Sequence, residues 1–121
     1  MEYMILIHSD ETQVPAPGTA AFEQMMGAWM AYNQRLIDGG HWVSAANLAP
    51  TSTATTVHKS PGAAPTLTDG PFAESKEQLG GYYLITATDL DQALELAAAI
   101  PVPVGSIEVR PVAFRPDAGV R

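Results

Sequence analysis

Residues 80–101 read GGYYLITATDLDQALELAAAIP, and this stretch decides the fold. Tyr82 to Ala87 is aromatic and β-branched, the composition of a strand. Thr88 then offers a hydroxyl as a helix cap. Asp89 and Asp91 follow in the first turn, where carboxylates satisfy free N–H groups and complement the positive end of the helix dipole. Leu90, Leu94 and Ala97, with Ala93 and Ile100 beside them, recur at helical spacing until Pro101 stops the run. The Gly80-Gly81 pair precedes a strand rather than a helix, so it marks a bulge or tight turn and not a phosphate cradle.

Downstream, Ser106 to Val112 sets Ile107, Val109 and Val112 against Glu108 and Arg110, a strand with one wet face. Residues 114–121 read as a frayed tail after a single domain spanning residues 1–113. Upstream, the β-branched run Thr53 to Lys59, the turn Ser60-Pro61-Gly62 and the extended Pro65 to Thr68 predict a hairpin. His41 to Leu48 alternates weakly and stops at Pro50, a further strand. Ala20 to Asp38 places Phe22, Met25, Met26, Trp29 and Leu36 on one helical face opposite Glu23, Gln34 and Arg35. Thr19 caps this helix and Gly39-Gly40 ends it. Tyr3 to Ile7 is a continuous apolar run, the pattern of a central strand covered on both faces.

The order is strand, helix, strands, helix, strand. It predicts an α+β, ferredoxin-like sandwich: an antiparallel sheet with two helices on one face and an inserted β-hairpin. Such a sheet leaves its other face bare, and the usual remedy is a symmetric homodimer.

Composition removes several function classes. Six basic against thirteen acidic residues give a net charge of -7, which repels phosphate backbones and argues against direct nucleic-acid binding. No cysteine means no disulfide, thiol nucleophile or thiolate metal site. Met1 to Ile7 lacks a basic export region, and its five-residue apolar run is far short of the ~20 that a spanning helix needs, so no membrane association and a cytoplasmic location are expected. Of the 46% apolar residues, nineteen are alanines that bury little each.

The segment from Thr68-Asp69-Gly70-Pro71-Phe72 through Glu74-Ser75-Lys76-Glu77-Gln78-Leu79-Gly80-Gly81 to Ile85 resembles the signature of the YCII-related family, in its DGPF branch. Met1 to Ile7, Ala54 to Val57, Asp89-Leu90-Asp91 and Gly105 to Pro111 resemble it too, so the similarity spans nearly the whole chain. The resemblance implies a dimeric α+β barrel, two ferredoxin-like sheets facing each other. For some relatives it also implies small-molecule catalysis through a His–Asp pair, and for the DGPF branch a regulatory setting beside extracytoplasmic-function sigma factors. The wider family's histidine lies on the first helix, where this chain carries Tyr32 and Asn33, so that chemistry is not carried over. Asp69 does match the motif's aspartate.

Asp69-Gly70-Pro71-Phe72 has two readings. Asp and Gly favour turns, Pro fixes φ and Phe anchors the turn in a core; or the turn aims the Asp69 carboxylate into a cleft for acid–base work. Lys76 is either half of a solvated charge alternation with Glu74 and Glu77 or a contact for an anionic ligand. His8, His41 and His58 lack ligand spacing, so no metal and no cofactor are expected, while His8 and His41 remain candidate proton carriers. Two functions follow. One is a small-molecule enzyme with Asp69 or His41 as acid or base and Trp29 and Phe72 as cleft walls, with Lys76 and His8 as further ligand contacts. The other, favoured because no nucleophile–base–orienter set can be assembled, is a non-catalytic dimer that binds a metabolite or protein partner in a regulatory setting. A purely structural dimer is a third reading.

Overall fold

Alternation along β1 (Glu2–Ser9) organises the molecule: Tyr3, Ile5 and Ile7 are buried on one face, while Met4, Leu6 and His8 point to the other. In the computed structural model, which describes residues 1–116, β1 is followed by α1 (Ala20–Asp38), β2 (Trp42–Asn47), β3 (Thr55–His58), β4 (Thr66–Asp69), β5 (Gln78–Thr86), α2 (Leu90–Ala98) and β6 (Gly105–Pro111). Four strands form one sheet in the order β2-β5-β1-β6, with every neighbour antiparallel, and β3 and β4 form a separate hairpin. The α+β, ferredoxin-like arrangement with an inserted hairpin is therefore what the chain adopts, and β1 lies inside the sheet as its apolar run predicts.

Tyr3 stands opposite Ile85 and Ile5 opposite Tyr83, and these residues pack with Tyr32 and Leu36 of α1 and with Ala93, Leu96, Ala97 and Ile100 at α2. Because one alternate set of strand residues meets both helices, both helices cover the same face. Each fully buried Ile or Leu of this layer contributes on the order of 1.5–3 kcal/mol. The Tyr32 hydroxyl donates to the Leu96 carbonyl at 2.7 Å, tying α1 to α2, and the Tyr83 hydroxyl donates to the Asn33 side-chain oxygen. Burial favours the neutral phenol in both tyrosines: Tyr83 is pushed up to about 12, and Tyr32 is also raised.

α1 begins and ends where its caps predict. Thr19 accepts from the Phe22 N–H, and at the other end Gly40, with φ 75°, lets the His41 N–H reach back to the Leu36 carbonyl at 2.9 Å. The glycine pair before the strand core is a bulge: Ile7 pairs with Gly81 and His8 with Leu79, leaving Gly80 unpaired. Gly81 also requires its missing side chain, since a Cβ would lie 2.7 Å from the Ala46 carbonyl oxygen.

Four expectations are corrected. Asp89, not Thr88, caps α2, accepting from the Gln92 N–H at 2.9 Å, while the Thr88 N–H donates to the Gln92 side chain. α2 buries Ala93, Leu96, Ala97 and Ile100, whereas Leu90 and Leu94 are exposed; two alanines allow the closer approach to the sheet. On α1, Met26 turns outward and Tyr32 takes the core position. Arg115 is not frayed: it grips Glu2 with two hydrogen bonds of 2.8 Å. The remainder of the expected tail, 117–121, lies outside the described residues.

Candidate functional site

Three loops meet beyond the C-terminal end of β1. In the first, Asp10 accepts from the Thr12 N–H at 2.9 Å and the Thr12 hydroxyl at 2.6 Å, capping a single 3-10 turn. These two donors, the hydroxyl foremost, hold the Asp10 carboxyl below its ordinary value, and nearby Lys76 acts in the same direction. The next residue, Glu11, spans to the second loop and accepts from the Thr51 N–H at 2.8 Å and the Thr51 hydroxyl at 2.7 Å. The third loop, residues 73–77, is folded around the Gln78 amide, which donates to the carbonyls of Ala73 at 2.9 Å and Ser75 at 2.7 Å. Glu77 is held by the Ser106 hydroxyl at 2.6 Å.

Between these loops lies a cleft of two adjoining lobes that share Thr51, Ser75 and Gln78. The smaller lobe, about 300 Å³, is polar and is lined by Asp10, Glu11, Thr12 and Lys76. The larger, about 620 Å³, is walled mainly by Leu48, Pro50, Pro71, Phe72 and Leu79, with His8 and Glu77 as its ionisable groups. An apolar chamber joined to a few convergent polar groups is the usual form of a small-molecule site.

The structure brings three of the six candidate residues into this cleft. His8 and Phe72 line the apolar lobe and Lys76 the polar one. Phe72 is 87% exposed, so it forms a rim of the cleft and anchors no core. Asp69 ends β4 opposite Thr55, is exposed, and lines neither lobe. The turn after it is organised by backbone: Gly70 has φ 103°, its N–H donates to the Ala54 carbonyl at 2.8 Å, and its own carbonyl accepts from Thr56 at 2.7 Å.

His41 sits at the other end of the sheet. It is beside Thr86, whose carbonyl lies 2.9 Å from its Nδ1, and its ring packs over Gly39. The strand register puts about six residues between the levels of His41 and His8, roughly 20 Å at the usual rise, so the two cannot share a ligand. Among the described residues no three His, Asp or Glu side chains cluster as a metal site. Trp29 is half-buried and packs against the core on the helix-covered face, stacked on Tyr83 with ring centroids 6.3 Å apart, and lines neither lobe.

Sequence reasoning passes over Glu11, Thr51 and Gln78, and meets Asp10 only as a metal donor to be weighed beside His8. A further signal was available for Asp10: Asp followed two residues later by Thr is a local side-chain-to-backbone motif, and Asp10 accepts from the Thr12 N–H in that manner. Glu11 and Thr51 carry no such signal, because forty residues separate them.

A YCII-related domain matches residues 1–114. The chain belongs to the YCII-related family. An uncharacterised protein of Rhizobium meliloti (strain 1021) is 38% identical over 117 residues, covering 94% of each chain. For this YCII-related protein the match runs through every strand and both helices, so the three loops that build the cleft lie within the family domain. No helix among the described residues is long and apolar enough to cross a membrane.

Proposed function

We propose that this YCII-related protein is a cytoplasmic, DGPF-type homodimer that binds a small molecule without transforming it, in a regulatory setting. The observation that carries the reading is the joined cleft, which gathers His8 from β1 and Phe72 and Lys76 from the β4–β5 connection around an apolar lobe of about 620 Å³ and a polar one of about 300 Å³. An acid–base enzyme built on Asp69 or His41 is not favoured by this geometry, since both residues lie outside the cleft. The dimer is supported by the sheet face that no helix covers. There Met4, Leu6 and Tyr82 stand half-buried on β1 and β5 beside Leu84, which the chain already buries, and the part of them left in water is apolar surface that self-association would cover.

Two measurements test the reading. Sedimentation at micromolar concentration should give a dimer, and Leu6→Asp should give a folded monomer; a wild-type monomer defeats the oligomeric half. Protein-observed NMR with a library of small fragments should give shifts clustered at His8, Phe72 and Lys76. Shifts confined to other surfaces, or none at millimolar fragment, would refute the binding half.

A further inference from the structure

The smaller lobe is lined by Asp10, Glu11 and Lys76, and Lys76 forms an ion pair with neither carboxylate. Asp10 is only 5% exposed, and the two Thr12 donors fix its Oδ1. Its other oxygen takes no hydrogen bond from any described residue, yet it is not sealed off, since among the described residues no buried side-chain polar atom lacks a partner. Lys76 lies near enough to act on Asp10 through its charge, but among the described residues it forms neither a hydrogen bond nor an ion pair. Because Thr12 pins the Asp10 carboxylate, it cannot swing out to close the gap.

The charge balance narrows the ligand. A simple anion meeting Lys76 would also meet Asp10, Glu11 and Glu77, three carboxylates against the one lysine of the cleft. A simple cation would leave Lys76 unpaired and add a like charge beside it. A head group that carries both signs answers both in part, its ammonium offsetting the carboxylates and its carboxylate pairing Lys76, and the adjoining lobe is apolar enough to take a hydrocarbon or aromatic body.

Resting on the small-molecule reading above, we infer that the cleft takes an amphipathic zwitterion of the apolar amino-acid class. Its ammonium meets the open oxygen of Asp10, its carboxylate meets Lys76, and its side chain lies against Pro71 and Phe72. The matched probes are L-phenylalanine, phenethylamine, which lacks the carboxylate, and 3-phenylpropionate, which lacks the ammonium. Titration by calorimetry and NMR should show L-phenylalanine binding about tenfold more tightly than either, the value of one further charge-assisted contact. Lys76→Gln should bring L-phenylalanine down to the level of phenethylamine while leaving phenethylamine within twofold. Asp10→Asn keeps the capping oxygen, so it should fold and bring L-phenylalanine down to the level of 3-phenylpropionate. If either singly charged probe binds as tightly as L-phenylalanine, or if Lys76→Gln leaves the ranking unchanged, the zwitterion assignment is wrong and small-molecule binding stands. If none of the three binds at millimolar concentration, the zwitterion assignment is wrong, and the small-molecule reading is decided by the fragment titration alone.

Discussion

The helix-covered face of the sheet and the loop cluster beyond β1 are built on opposite terms. On the covered face Tyr3, Ile5, Leu36 and Ile85 are sealed from solvent, and the buried hydroxyl of Tyr32 is paired with a backbone carbonyl. In the loop cluster Asp10 is buried while Phe72 and Leu48 stand exposed, and order comes from carboxylates and amides gripping loop backbone at Thr12, Thr51, Ala73 and Ser75. Apolar burial is strong and non-directional, so it fixes a layer and leaves no vacancy. Each hydrogen bond in the loops contributes about 1 kcal/mol net and fixes a separation as well as a contact, which is how a cleft stays open. Stability and binding should therefore respond to different substitutions.

The largest expected effect is on the covered face. Leu36→Ala should cost about 2–5 kcal/mol, read as a lowered denaturant midpoint. A loss below about 1 kcal/mol would remove the contrast between the regions. Next comes Tyr32→Phe, which leaves the Leu96 carbonyl without its partner and should cost about 1–3 kcal/mol.

The pH extremes separate the regions by sign. Tyr83 is raised from 10.0 to about 12 by burial, so the folded state favours the neutral phenol. Its contribution is intact below pH 10 and is lost as pH rises toward 12, which ultraviolet absorbance of the phenolate will follow. Asp10 and Glu2 move the other way. Their carboxyls lie below the ordinary 3.8 and 4.5, held by Thr12 and by Arg115. The stability they lend is present above those values and is lost as pH falls through the lower folded ones, so denaturant midpoints should begin to drop below about pH 4.5. The smallest effect on stability is expected at the cleft rim. Phe72→Ala should change unfolding free energy by less than about 0.5 kcal/mol, since the ring is exposed, while weakening fragment binding in NMR titration. A large loss of stability there would mean that the motif is a structural anchor after all.

Much of this was legible in the chain. The apolar period, Thr19 and the glycine pair mark α1 to its last residue, and the β-branched runs mark the hairpin. Legibility failed where a helix carries large apolar residues on more than one side. Leu94 and Leu96, two residues apart, lie on opposite sides of α2, and Met26 and Tyr32 lie well apart around α1, so the pattern offers more than one apolar stripe and does not say which one the sheet covers. Tyr32 wins because α2 supplies a carbonyl for its hydroxyl, a fact of packing and not of pattern. The cleft was partly legible: His8, Phe72 and Lys76 were named from the sequence, while Asp69 and His41 were drawn from a motif and a residue type with no account of where those side chains stand.

Element order, the ferredoxin-like topology and the family can be read from the chain, because periodicity, capping and motif act over a few residues and leave local signatures. The tertiary structure alone decided which side chains share a space. Glu11 meets Thr51 across forty residues, Lys76 comes within Coulombic reach of Asp10, and His8 lies at the far end of the sheet from His41. Those relations are set by strand register and loop closure, which place residues by their position in the sheet and not by their distance along the chain.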